Sequence, residues 1–325
     1  MNDPKPRTGQ QALQCAAVLI LCRCFLFFCC DLPYTAAHAK GCAVAFLLSA
    51  GLLLPLLPRL SGIRIPQRIL PLMRVFSLLW TARLLALLYG LLVQLASPRP
   101  LFTGALVLVI LADLVRLPYS AAARASVLIL FLLTAAFLLL PLRTLKTANP
   151  VCLYLLGNAG AAFLRCIAGM GEILLMPLLC RKQDTAASCK GIAAWLVTGG
   201  LLLPGAVLLG AMQNGRLTDG QKNPFFLMLA RTPLSDAVRT DGIWVMLAVC
   251  CGMLTMTRFL RTAAAPDGDP RRLSPRTVFR IAVLLTAMTA VFVLVPASGT
   301  VFGGISFVCG IILLWGMGMK MRNEE

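Results

Sequence analysis

Apolar runs of about 20 residues follow one another along this 325-residue chain, with short polar breaks between them. That spacing constrains the fold more than any motif does. At 1.5 Å per residue, a helix of that length crosses the roughly 30 Å hydrocarbon core of a bilayer. A water-soluble core cannot hide so many such runs. Hydrophobic residues make up 59% of the chain and charged residues 13%, about half the soluble norm. The runs are continuously rich in Leu, Val and Ala, which predicts helices and excludes the alternating pattern of barrel strands. The first run follows a polar head, MNDPKPRTGQQ, and ends in FLFFCCDLPY with no small-residue cleavage site, so it reads as a retained helix.

Ten spans are expected, near 11–30, 41–57, 69–95, 101–117, 121–142, 151–180, 191–212, 242–260, 278–295 and 301–319. They form one polytopic domain over 1–325. It has a cytoplasmic tail at 1–10, helices one to five at 11–142 and helices six to ten at 151–319. An extracytoplasmic loop lies at 213–241 and a cytoplasmic loop at 261–277. Within the outer loop, NPFFLMLA is too short to cross and predicts an interfacial or re-entrant segment. The basic residues test this scheme. With the N-terminus cytoplasmic, 19 of the 30 Lys and Arg residues fall on that side, 8 on the other, and Arg23, Arg83 and Arg165 inside spans. This asymmetry predicts both termini inside. Five helices per half force the halves into opposite orientations, the inverted-repeat plan of many secondary transporters.

The net charge of +18 invites a nucleic-acid partner, but the basic residues are scattered between apolar runs and no soluble domain carries a groove. The lipid bilayer is the expected partner instead. Most of the thirteen cysteines lie within apolar spans, with one histidine and no CxxC pair, and read as small buried hydrophobes. His38, beside Lys40 near the outer face, reads as a solvated loop residue. The sequence has no histidine–acid motif, paired acidic metal site or nucleotide-binding glycine loop. Neither catalytic residues, nor a metal, nor a cofactor is expected.

One stretch breaks the apolar pattern: RCIAGMGEILLMPLL, residues 165–179, in the sixth span. Gly169 and Gly171 favour local unwinding. At membrane depth, unwound backbone is tolerated only where protein or a water-filled cavity surrounds it, and its amides and carbonyls can grip a small zwitterion. Glu172 is an ionisable group far from both headgroup layers, a functional candidate by default. It can bind an ammonium, carry a coupling proton or pair with an arginine. The ligand-binding set is therefore Gly169, Met170, Gly171, Glu172 and Arg23, with Arg165 and Arg83 as ion-pair or coupling candidates. A structural reading stands beside it. The two glycines let a neighbouring helix approach, and Glu172 pairs with Arg165 two turns earlier. Asp113 reads as a local partner of Arg116.

Several segments resemble the spore germination permease family, the B subunits of endospore germinant receptors within the amino acid/polyamine/organocation transporter superfamily. TGQQALQCAAVLI is similar to that family's Gln-bearing approach into the first helix. LPYSAAARASVLIL resembles its fifth-helix entrance, with Arg124 at the matching arginine. GMGE falls where the family carries Gly and Glu in the sixth helix. NPFFLMLARTPLSDAVRTDGIWVMLAVC resembles its Pro-aromatic segment, Arg-x-Asp and tryptophan-bearing eighth helix, through Pro224, Phe225, Arg239, Asp241 and Trp244. The resemblance implies an all-α, LeuT-like fold and an amino-acid-like germinant bound between helices one and six. It also implies A- and C-type companion subunits and a multi-pass location in the inner spore membrane. There is one departure. The superfamily breaks its first helix at glycines, whereas none lies between Gly9 and Gly41 here, leaving Arg23 as the anion partner. Two further readings stay open: a free-standing secondary amino-acid transporter, with Glu172 as proton or amine site, and a scaffold subunit with a vestigial pocket.

Overall fold

A computed structural model describes residues 8–29, 35–55, 69–95, 119–153, 157–175, 204–213, 224–230, 241–264 and 275–322, with positions 104, 107, 108, 110, 111, 193, 196 and 201. Among them the regular elements are all helical: α1 (Thr8–Phe28), α2 (Ala36–Leu53), α3 (Leu70–Leu95), α4 (Tyr119–Thr147), α5 (Ala159–Gly169), α6 (Pro224–Ala230), α7 (Asp241–Ala264), α8 (Pro275–Leu294) and α9 (Pro296–Arg322). Two short 3-10 segments, η1 (Pro150–Cys152) and η2 (Gly171–Leu175), flank α5. Five helices, α2, α3, α4, α7 and α9, are each long and apolar enough to cross a bilayer. α1 and α8 carry shorter apolar stretches, Ala17–Phe28 and Phe279–Leu294. The chain is an all-α protein of the multi-pass membrane type. Most of the expected fourth span and ten of the 22 positions of the seventh lie outside the described residues, as do Asp113, Arg239 and most of the loops at 213–241 and 261–277.

Local chemistry explains the helix ends. Thr35 caps α2 by accepting a hydrogen bond from the His38 amide at 3.2 Å, so α2 starts at Ala36, ahead of the expected Gly41. His38 is therefore not a solvated loop residue. It is buried in the first turn of α2, its Nδ1 2.6 Å from Thr35 Oγ1. The expected sixth span also begins differently. Asn149 caps η1, Gly157 takes a φ of 146° that residues bearing a Cβ avoid, and Asn158 then caps α5. Pro275 and Pro296 stand at the first positions of α8 and α9, where a missing N–H costs nothing.

α1 and α7 form the centre. The side chains of α1 from Ala17 to Phe28 are all buried, as is Cys29 beyond it. About two thirds of the apolar stretch of α7 is buried (67%), against 22% in α4 and 28% in α9, which turn apolar faces outward. The segment NPFFLMLA yields the seven-residue α6, with Phe225 and Phe226 buried. Phe225 sits 5.0 Å from Phe28 of α1, 6.3 Å from Phe137 of α4 and 5.3 Å from Trp244 of α7, ring centre to ring centre. Contacts of this kind contribute about 0.5–1.5 kcal/mol each beyond their area.

Contact order along each pair gives the relative helix directions. α1 and α7 run antiparallel, since Phe25 meets Gly252 and Phe28 meets Trp244. α3 and α9 are also antiparallel, with Arg83 near Gly299 and Trp80 against Phe302. α2 and α5 run parallel: Gly41 faces Ala159, Cys42 meets Cys166, and Ser49 meets Met170. α5 with η2 runs parallel to α9, through Ala168 and Gly303, Gly171 and Ser306, then Ile173 and Gly310.

Candidate functional site

The α-helical hydrogen bonding of α5 stops at Met170. That residue has φ −94° and ψ 3°, and its amide donates to Ile167 O, one residue short of the α-helical partner. The chain continues as η2, where the Ile173 amide donates to Met170 O at 3.2 Å. The expected opening at 169–171 is thus a tightening from α to 3-10 geometry, and Gly171, Glu172, Ile173, Leu174 and Leu175 are all buried.

Three elements converge on this junction. From α1, Arg23 brings Nη2 within 3.1 Å of Glu172 Oε1, with both side chains more than nine-tenths buried. From α3, Arg83 Nη1 donates to Ala168 O at 3.0 Å, placing positive charge at the C-terminal end of α5, the negative end of the helix dipole. From α2, Ser49 Oγ lies 3.0 Å from Met170 Sδ and donates to Ala45 O at 2.8 Å. Each guanidinium also faces a ring: Arg23 is 5.2 Å from the centre of Phe46 and Arg83 4.6 Å from that of Trp80.

The two glycines have different neighbours. A Cβ on Gly169 would stand 3.2 Å from Arg23 Nη1, so this glycine admits the guanidinium. A Cβ on Gly171 would strike Gly303 O, Trp80 and Ser306, so this one admits α9 and α3. Close helix approach, the structural reading of the pair, therefore holds at Gly171. Trp80 Nε1 and Ser306 Oγ are both buried beside Gly171 and make no hydrogen bond with a described residue.

The expected pairing of Glu172 with Arg165 is not what forms. Arg165 lies on an exposed face of α5, and Arg23 takes the carboxylate. Of the sequence-derived set, Gly169, Met170, Gly171, Glu172, Arg23 and Arg83 come together. α1 is one helix from Thr8 to Phe28, in keeping with the absence of glycine beyond Gly9. Sequence reasoning missed Ser49, Trp80, Gly303 and Ser306. Trp80 carried a signal, being three residues before Arg83 and so on its helix face. Gly303 and Ser306 lie in an apolar run where nothing marks them.

No protein-family model matches the chain, and no curated protein matches it. What fold and site define together is a class: a multi-pass helical membrane protein with a buried ion pair at an interrupted helix.

Proposed function

We propose that this chain is a permease-like membrane subunit that binds a small germinant, an amino acid, between α1 and the α5–η2 junction. It passes that event to companion A- and C-type receptor subunits of the inner spore membrane. The observation that carries the reading is the buried Arg23–Glu172 pair beside the end of α5. An amino acid brings a carboxylate for Arg23 and an ammonium for Glu172, so it enters the pair without leaving either charge bare. A simple amine or a simple acid serves one side only. Stranding a buried charge costs about 3–5 kcal/mol, which selects zwitterions. Trp80 Nε1 and Ser306 Oγ add two donors beside Gly171. The bond from Arg83 to Ala168 couples the junction to α3, and a ligand that prefers one arrangement of these groups shifts the population of states.

The proposed architecture is ten spans in two inverted halves of LeuT-like plan, with both termini cytoplasmic. Helix direction supports it. For α2 and α5 to run parallel, the chain between them must cross an odd number of times, so α3 and α4 need a partner span within 96–118. The same holds between α5 and α9, where α7 and α8 need one within 176–213. The pairing of elements supports the inverted halves as well. Exchanging each span for the one five later turns the α1–α4 contact into the junction–α9 contact. It turns α1–α7 into η2–α3 and returns α3–α7 to itself, and each of these pairs touches.

A thermal-shift panel on the purified protein tests the function. A ligand at one hundred times its Kd adds about 2.7 kcal/mol of stability. Amino acids are expected to raise Tm where matched amines and carboxylic acids do not, with the shift lost in Glu172→Gln. Proton-driven accumulation of labelled amino acid in proteoliposomes would favour the transporter reading. Silence from every amino acid at millimolar concentration would favour the scaffold.

A further inference from the structure

We propose that Cys42 and Cys166 are a cross-linking site, closing to a disulfide that staples α2 to α5. Their sulfurs stand 2.8 Å apart and both side chains are buried. A disulfide bond is about 2.04 Å long, so roughly 0.8 Å of approach separates contact from bond. The two helices run parallel, and the cysteines lie six and seven residues past their first residues, Ala36 and Ala159. The seam between the helices is close along its length, since a Cβ at Gly41 would strike Ala159 O and Ser49 reaches Met170. On the proposed orientation both thiols lie in the outward half of the membrane, on the side where thiols oxidise.

The oxidant for this apolar seam is a lipid hydroperoxide, which dissolves in the surrounding hydrocarbon and reaches the buried sulfurs when α2 and α5 part. One cysteine sulfur attacks the outer peroxide oxygen. The O–O bond breaks, the lipid leaves as an alcohol after taking a proton, and the cysteine becomes a sulfenic acid. The second sulfur then displaces the sulfenic hydroxyl, which leaves as water with the second thiol's proton, and the S–S bond forms. Two thiols together lose two electrons, and the peroxide gains them. The product holds α5 against α2 one helical turn before the Met170 junction. The site is independent of what the junction binds.

The test uses the full chain in membranes, with a specific protease site inserted between Ser97 and Pro98. After treatment with a lipid hydroperoxide, alkylation of remaining thiols and cleavage, the two fragments should migrate together without reductant and part with it. The joined fraction should fall at least tenfold in Cys42→Ala and in Cys166→Ala. Joining that persists in both variants, or fragments that part without reductant, would overturn the proposal. Peptide mapping of the chain without the insertion guards against a misfolded variant. A linked peptide pair holding Cys42 and Cys166 supports the staple, and recovery of both as alkylated thiols overturns it.

Discussion

Arg23 and Glu172 leave water at a cost of several kcal/mol per ion, and their attraction at 3.1 Å offsets that cost only while both are present. Glu172→Leu or Arg23→Met alone should therefore destabilise by about 3–5 kcal/mol. The double replacement Arg23→Met with Glu172→Leu should recover most of that loss. Unfolding of the four proteins in one detergent gives the coupling directly, and additive losses would mean the pair is not coupled. Both charges were legible in the sequence, because each stands alone in an apolar run. Their pairing was not. Arg165 is nearer in sequence and would share a face with Glu172 on a continuous helix. The change to 3-10 geometry at Met170 alters the residue angle, and the shared face is lost.

Between elements, the closest approach is made by glycines of α9 against α5 and η2. A Cβ at Gly303 would collide with Ala168 O and Arg83, whereas one at Gly304 would meet open space. Gly303→Ala should therefore cost about 1–3 kcal/mol through overpacking, and Gly304→Ala should stay near the parent. Thermal unfolding of the two variants side by side checks this; equal Tm values would refute the close seam. Helix positions were largely readable from the runs, but their ends depended on caps. Thr35 and Asn158 decide where α2 and α5 begin, and a hydropathy profile counts both as polar gaps. The short α6 was readable as too short to cross. Its burial was not, because burial comes from Phe28, Phe137 and Trp244 on three other helices.

At the scale of the molecule, the Lys and Arg asymmetry supplies an expected crossing direction, while neighbour relations were not legible. Helices apolar on all sides leave no stripe to say which face meets which partner. The proposed orientation makes a concrete expectation. Tags at the two termini should be read from the same side of the membrane, and a tag inserted within 214–223 from the other. Opposite sides for the termini would remove one crossing and with it the five-plus-five plan.

The order of synthesis adds a demand that the finished fold conceals. Arg23 is made about 150 residues before Glu172, the acid it holds in the mature protein. At roughly 5–20 residues per second, the ribosome leaves that cation waiting for about ten to thirty seconds. During that interval α1 cannot settle at its final depth unaided. Insertion machinery, lipid phosphates or a temporary shift toward the interface must shelter the guanidinium until its counter-charge emerges.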